Sequence, residues 1–211
     1  FRNVTGVQTC ALPISQSSKR EQLIQAALEL FARKGYHAVA VDAISDRAGI
    51  TKKTLYHHFK SKEELILAAL RHYDERFRND FMRSVESKTG DPIGRLLAVF
   101  DIVEEWFNSK NFSGCLFVGA MGEYPEEAAP IRRVCRESKM LTQGYIKSLA
   151  EKAGLYESGQ LSEQLILLIE GATTMAQVNN SSLCAAQAKA AAKVLIKNST
   201  TLPSKVAKRK L

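Results

Sequence analysis

The run Val41-Asp-Ala-Ile-Ser-Asp-Arg-Ala-Gly-Ile-Thr-Lys-Lys-Thr-Leu-Tyr-His-His-Phe59 constrains the fold more than any other stretch of the chain. Ile44 and Ala48 stand one helical turn apart, so a short first helix has one apolar face. Gly49 ends that helix, because glycine takes a left-handed backbone conformation without steric cost. Ile50 fills the angle that follows, and the Thr51 hydroxyl is placed to cap a second helix. Leu55 and Phe59 set the back of this second helix on the same core. Thr51, Lys52, Lys53, Thr54, Tyr56, His57 and Lys60 are left facing outward. They are donors for phosphates and base edges, on a helix slim enough to enter a DNA major groove. A solvated hairpin with a basic face is the bland alternative, and the number of coincident positions argues against it.

The flanks agree. Ser18-Lys-Arg-Glu21 and Ser61-Lys-Glu-Glu64 are capping-box signatures that open helices on either side. Leu23, Ala27, Leu30 and Phe31 form an apolar stripe that stops at Gly35. The block from about residue 19 to 66 resembles the DNA-binding domain of TetR-family repressors. The resemblance rests on Ala27-Leu-Glu-Leu-Phe31, Gly35-Tyr36, Ile44, Ala48-Gly49-Ile50-Thr51, Thr54-Leu55-Tyr56, Phe59 and Ser61-Lys62-Glu63-Glu64-Leu65. It implies an all-α fold of about nine helices: an N-terminal three-helix, helix-turn-helix domain, then a larger helical domain for ligand binding and dimerisation. It also implies DNA contacts from Ser45, Thr51, Lys52, Lys53, Thr54, Tyr56, His57, Lys60 and Lys62. The chain departs from the family pattern at Ala40, where a capping Thr is usual. The missing cap costs about 0.5–2 kcal/mol of local helix stability, partly offset by Asp42 in the first turn. Ser45 also stands where a small Ala is commoner.

Charge follows the same division. The net charge is +8, which suits a polyanionic partner. Nine Lys/Arg against four Asp/Glu fall between Lys19 and Lys62. The tail adds Lys205, Lys208, Arg209 and Lys210 with no acid, which leaves a nearly neutral middle. The expected organisation is residues 1–15 as a non-native or disordered segment, 16–62 as the DNA-binding domain, 63–199 as the ligand and dimer domain, and 200–211 as a basic disordered tail. Gly6-Val-Gln-Thr-Cys-Ala-Leu-Pro-Ile-Ser15 resembles translated adapter read-through, with a genuine arm as the alternative, and in neither case carries function. No apolar run suits a signal peptide or a membrane span, so a cytoplasmic protein with no membrane partner is expected.

From Ser61 onward the spacing predicts helix after helix. Leu65, Ala69, Tyr73, Phe77 and Phe81 stripe a long helix fading near Ser87. Asp91-Pro92 caps the next, striped by Ile93, Leu96, Leu97, Phe100, Val103 and Phe107. A short helix follows around Gly114–Met121, and Pro125 is expected to open a long one reaching Lys152. Leu161, Leu165, Leu168, Ile169, Ala172 and Ala176 stripe an eighth, and Ser181 or Ser182 caps a ninth.

The eighth helix is apolar around much of its circumference and the ninth is rich in Ala, so both need cover. A homodimer is expected there, through Leu165, Leu168, Ala172, Ala188, Ala191 and Leu195. Two ordinary core helices in a monomer are the alternative. Paired readers favour the dimer, since such modules bind two half-sites of a near-palindromic operator. The aromatics gather in the middle helices. Tyr73, Phe77, Phe100, Trp106, Phe107, Phe117, Met121, Tyr124 and Tyr145 are candidate walls of a small-molecule effector pocket, each of which could equally be plain core. A sensor calls for a cavity of roughly several hundred Å³.

No phosphate-cradling loop, nucleophile elbow or metal-spaced Cys/His cluster is present, so no enzyme, metal or cofactor is expected. The four Cys (10, 115, 135, 184) are isolated, against both a disulfide framework and a zinc site. The expected function is a ligand-responsive repressor released from its operator by a small molecule. The alternatives are a constitutive DNA-binding regulator, an activator, or a thiol sensor acting through Cys115.

Overall fold

The computed structural model describes residues 18–200. The segment 1–15 and the basic tail beyond residue 200 lie outside the described residues, as does Cys10. Among the described residues there are nine α-helices and no strand: α1 Lys19–Lys34, α2 Val41–Ala48, α3 Lys52–His58, α4 Lys62–Lys88, α5 Pro92–Phe107, α6 Leu116–Glu123, α7 Pro130–Lys152, α8 Ser158–Asn179 and α9 Leu183–Asn198.

Side-chain caps set the starts of α1, α4 and α5. Ser18 Oγ accepts from the Glu21 N–H at 3.2 Å, Ser61 Oγ from Glu64 at 3.2 Å and Asp91 Oδ2 from Gly94 at 2.6 Å. Each satisfies a donor that the first helical turn leaves orphaned. α2 begins at Ala40 with no side-chain cap, as its sequence implies. It ends at Gly49 in the left-handed conformation, φ 64°. Two starts differ from expectation. α7 begins at Pro130, not Pro125. A helix running through from Pro125 would hold Pro130 in its interior, where the ring clashes with the preceding turn and no N–H is offered. At the first position the same ring is harmless, and Ala129 closes a turn onto the Glu126 carbonyl at 3.0 Å. Ser182 sits at the start of α9 without capping it, while Ser181 Oγ accepts from Leu183 N–H at 3.4 Å.

The helices close over two apolar cores. One joins α1, α2 and α3 to the first turns of α4, with Leu23, Phe31, Ile44, Leu55, Phe59, Leu65 and Leu70 buried. α6 and the start of α7 also enter this core, through Phe117, Ala120, Ile131 and Val134. The second joins the end of α4 to α5, α7, α8 and α9, around Val85, Leu96, Phe100, Ile146, Leu165 and Ile196. α4 therefore feeds both, and the packing of the first core runs on past residue 62. Lys189 Nζ reaches Asp101 at 2.5 Å, tying α9 to α5. The Tyr156 N–H reaches the Ser199 carbonyl at 2.8 Å and closes the far end.

Candidate nucleic-acid interface

α3 is short and held from behind. Leu55 and Phe59 are fully buried, and the Thr51 hydroxyl accepts from the Thr54 N–H at 3.3 Å. Thr51, Lys52, Lys53, Tyr56, His57 and Lys60 consequently lie exposed. Thr54 is half-buried, with its hydroxyl 3.0 Å from that of Thr51. Lys52 Nζ lies 2.8 Å from Asp42 Oδ1, joining α3 to the first turn of α2. Hydrogen bonding to Asp42 raises the Lys52 pKa, so its ammonium stays charged. Lys62 Nζ donates to the His37 carbonyl at 3.1 Å. Ser45 does not share this surface. It is buried beside Ile44, and its hydroxyl has no hydrogen-bond partner. A residue next to the inward face of an eight-residue helix turns inward when α1 packs over it, so Ser45 is removed from the DNA contacts.

The reading head is clamped to α6 by contacts with no local signature in the sequence. The Glu123 carboxylate accepts from the Tyr36 N–H at 2.7 Å and the His37 N–H at 2.6 Å. The His37 ring lies 4.7 Å from that of Tyr124, stacked, with Nε2 2.8 Å from the Glu123 carbonyl. Tyr36 donates its hydroxyl to the Leu116 carbonyl at 2.9 Å, and burial holds its pKa far above the ordinary value. Gly35 makes the approach feasible. Its φ is +79°, and a Cβ there would meet Glu123 Oε1 at 2.7 Å. Arg47 adds a second tie, its Nε reaching Glu29 Oε2 at 2.9 Å, between α2 and α1.

Behind α6 lies a slot of about 70 Å³ between α4, α5, α7 and α8. Tyr73, Phe77, Trp106, Phe117 and Tyr145 line it, five of the nine aromatic and Met positions expected to. The other four are elsewhere. Phe100 is sealed in the second core, and Phe107 packs on Phe112 and Trp106. Met121 and Tyr124 sit against the first core, on the side of α6 that grips the reading head. The slot also has a polar wall that periodicity did not reveal. Ser138 donates to Asp74 at 2.6 Å, and Lys139 Nζ reaches Glu170 at 2.6 Å and Cys115 Sγ at 3.3 Å. Nearby Cys135 is buried, and desolvation pushes its thiol up to about 11.

The expected dimer residues divide. Leu165, Ala172 and Ala188 are buried within the protomer, where α8 and α9 pack on α5 and α7, so they cannot face a second copy. Leu168 and Leu195 are half-buried against the same core, and Ala191 is exposed. The open apolar row lies beside them: Leu167, Met175 and Val178 on α8, Leu183 and Val194 on α9. Leu167 and Val178 are 72% and 71% exposed, high values for residues of this kind. No helix among the described residues is long and apolar enough to cross a membrane.

A capped, basic reading helix carried on a helix-turn-helix and locked to a larger helical frame is the arrangement of a DNA-binding domain. Residues 23–69 match the family described as bacterial regulatory proteins, tetR family. Over that stretch the chain carries the DNA-binding domain of the family. It is 39% identical over 95 residues to the HTH-type transcriptional activator FasR of Mycolicibacterium smegmatis, a match covering 43% of each protein. With the HTH-type transcriptional repressor KstR2 of the same organism the identity is 35% over 88 residues, 42% of each. These matches thus span about two fifths of the curated relatives. The crystal structure of SCO4454, a TetR-family transcriptional regulator from Streptomyces coelicolor, superposes with a TM-score of 0.82 at 26% identity, covering 88% of this chain and 98% of that one.

Proposed function

We propose that the protein is a cytoplasmic repressor that binds a near-palindromic operator as a homodimer and is released by a small-molecule effector. The observation that carries this reading is the presence of two outward faces on one frame. α3 presents Thr51, Lys53, Tyr56, His57 and Lys60 to solvent, while α8 and α9 present Leu167, Met175, Val178, Leu183 and Val194. The first suits the phosphates and base edges of a major groove. The second is an apolar surface that a second copy would cover, forming a four-helix seam. Two copies joined there would bring two α3 helices to successive grooves on one side of the duplex.

Release follows if an effector in the inner slot favours a frame whose α3 spacing no longer fits the operator. The slot is smaller than the ~300–1,000 Å³ of ordinary ligand sites. Phe77, Phe81, Val103 and Trp106 line both the slot and an outer cleft of about 180 Å³. Joining the two spaces requires these shared side chains, Trp106 among them, to move. An activator reading has one observation in its favour, the similarity to FasR, a transcriptional activator. KstR2, similar over a comparable stretch, is named a repressor.

The test begins with selection of a binding site from random duplexes, followed by titration of the enriched sequence. A two-fold symmetric site bound with a Kd on the order of 10⁻⁸ M or tighter, by two chains per duplex, is the expected result. Enrichment of no sequence, or tight binding by one chain, would overturn the proposal. A promoter fusion then separates repressor from activator by the sign of its response.

A further inference from the structure

We propose that the inner slot takes a neutral carbonyl compound with an apolar aromatic body, its oxygen accepting hydrogen bonds from Arg78 and Tyr145. The inference rests on the effector reading above and specifies its chemistry.

Three observations lead to it. The apolar side of the slot is aromatic. Tyr73 and Phe77 stack at 5.3 Å, Phe77 and Phe81 at 6.2 Å, and Trp106 meets Phe77 edge-on at 5.4 Å. Such a wall favours an aromatic or polycyclic body over a flexible alkyl chain.

The second observation is the orphaned polar groups. Arg78 Nε and the Tyr145 hydroxyl are buried without a hydrogen-bond partner, and both residues line the slot. Arg78 Nε is a donor only, and a phenol can donate. A buried donor left unpaired is unfavourable until an acceptor arrives. Arg78 stands on α4 one turn from Asp74, and Tyr145 on α7 is edge-on to Phe81 at 6.3 Å. Ser138 meets Asp74 and Tyr145 meets Phe81, so α4 and α7 run in the same sense. Arg78 and Tyr145 thus stand on neighbouring helices, both in the lining of the slot.

The third observation is charge, which decides between classes of acceptor. Arg78 lies 3.4 Å from Asp74, and Lys139 lies 2.6 Å from Glu170. The four ionic groups lining the slot are two cations and two anions, already paired. A carboxylate ligand would bring an unbalanced negative charge beside Asp74 and Glu170. An ammonium would face the same difficulty beside Arg78 and Lys139 and could not accept from either orphan. A ketone, ester or amide oxygen supplies the acceptor without adding charge.

The experiment uses four probes built on one body: 2-acetylnaphthalene, 2-ethylnaphthalene, 2-naphthoate and (2-naphthylmethyl)trimethylammonium. Each is titrated calorimetrically into the full chain, alone and bound to its selected operator. The ketone is expected to bind about tenfold more tightly than each of the other three, the ratio that one recovered hydrogen bond to a buried donor supports. Arg78→Met and the near-isosteric Tyr145→Phe should each narrow the ketone's advantage over the hydrocarbon to about threefold or less, without weakening the hydrocarbon. Naphthoate or the ammonium binding as well as the ketone would overturn the proposal. Equal affinity for ketone and hydrocarbon, undiminished discrimination in Tyr145→Phe, or no binding by any of the four would do the same. Operator affinity is the separate readout. Ketone binding with the expected pattern but no loss of operator affinity would uphold the site's chemistry while removing its role as the regulatory site.

Discussion

At the scale of single residues, Ala40 and Ser45 show two kinds of imperfection in the reading head. Ala40 leaves the first N–H groups of α2 without a side-chain acceptor. Ala40→Thr should stabilise the protein by about 0.5–2 kcal/mol, seen as a rise in Tm. No rise would mean that Asp42 and water already satisfy that turn. Ser45 carries a buried hydroxyl with no partner. Ser45→Ala should add about 1 kcal/mol of stability and leave operator affinity unchanged in a filter-binding assay, whereas a residue touching DNA would lose affinity. The exposed cations behave differently. Lys53→Ala and Lys60→Ala should each lower the slope of log K against log salt by about one unit, on operator and random DNA alike. An unaltered slope in both would move the phosphate contacts elsewhere. The cations were legible from sequence because a long side chain on a helix turned outward has nowhere else to go. Ser45 was not, since its position borders the inward face and α1 decides which way it turns.

At the scale of the element, the helices whose starts were legible are those that carry their own chemistry: Ser18, Thr51, Ser61 and Asp91 act within four residues of themselves. The start of α7 was misplaced because two prolines five residues apart offered the same signal, and only the second can be a first helical position for the chain that follows. The clamp on α6 could not be read at all. Glu123 lies 87 residues from Tyr36, and no spacing rule spans such a gap. Its removal is accordingly a sharp test. Glu123→Ala should cost about 1–2 kcal/mol and speed hydrogen exchange at the Tyr36 and His37 amides, while the amides of α8 and α9 keep their protection. Unchanged exchange at Tyr36 and His37 would show that other contacts hold the loop.

At the scale of the whole molecule, three of the six residues expected at the seam, Leu165, Ala172 and Ala188, lie in the protomer's own core. α8 is apolar on several sides, and the packing of α5, α7 and α9 chooses which of them goes inward. Leu165 went in and Leu167 stayed out. The two positions should respond in opposite ways. Leu167→Arg, at an exposed site, should leave a folded protein that light scattering finds monomeric and that binds the operator far more weakly. Leu165→Arg buries an unpaired charge and should abolish folding, a loss of several kcal/mol. A dimer that survives Leu167→Arg, Val178→Arg and Val194→Arg together would place the seam on another surface. The longest helix, finally, sets a scale for control. α4 has 27 residues, about 40 Å of rigid rod, with Leu65 and Leu70 under the reading head and Val85 in the second core. Such a rod is a lever. A tilt of about 5° imposed at one end displaces the other by about 3.5 Å over that length. In a pair of subunits the two displacements add across the symmetry axis, against half-sites held about 34 Å apart by the pitch of DNA. A ligand therefore need not reshape either core, because a few degrees at the slot would misalign both readers.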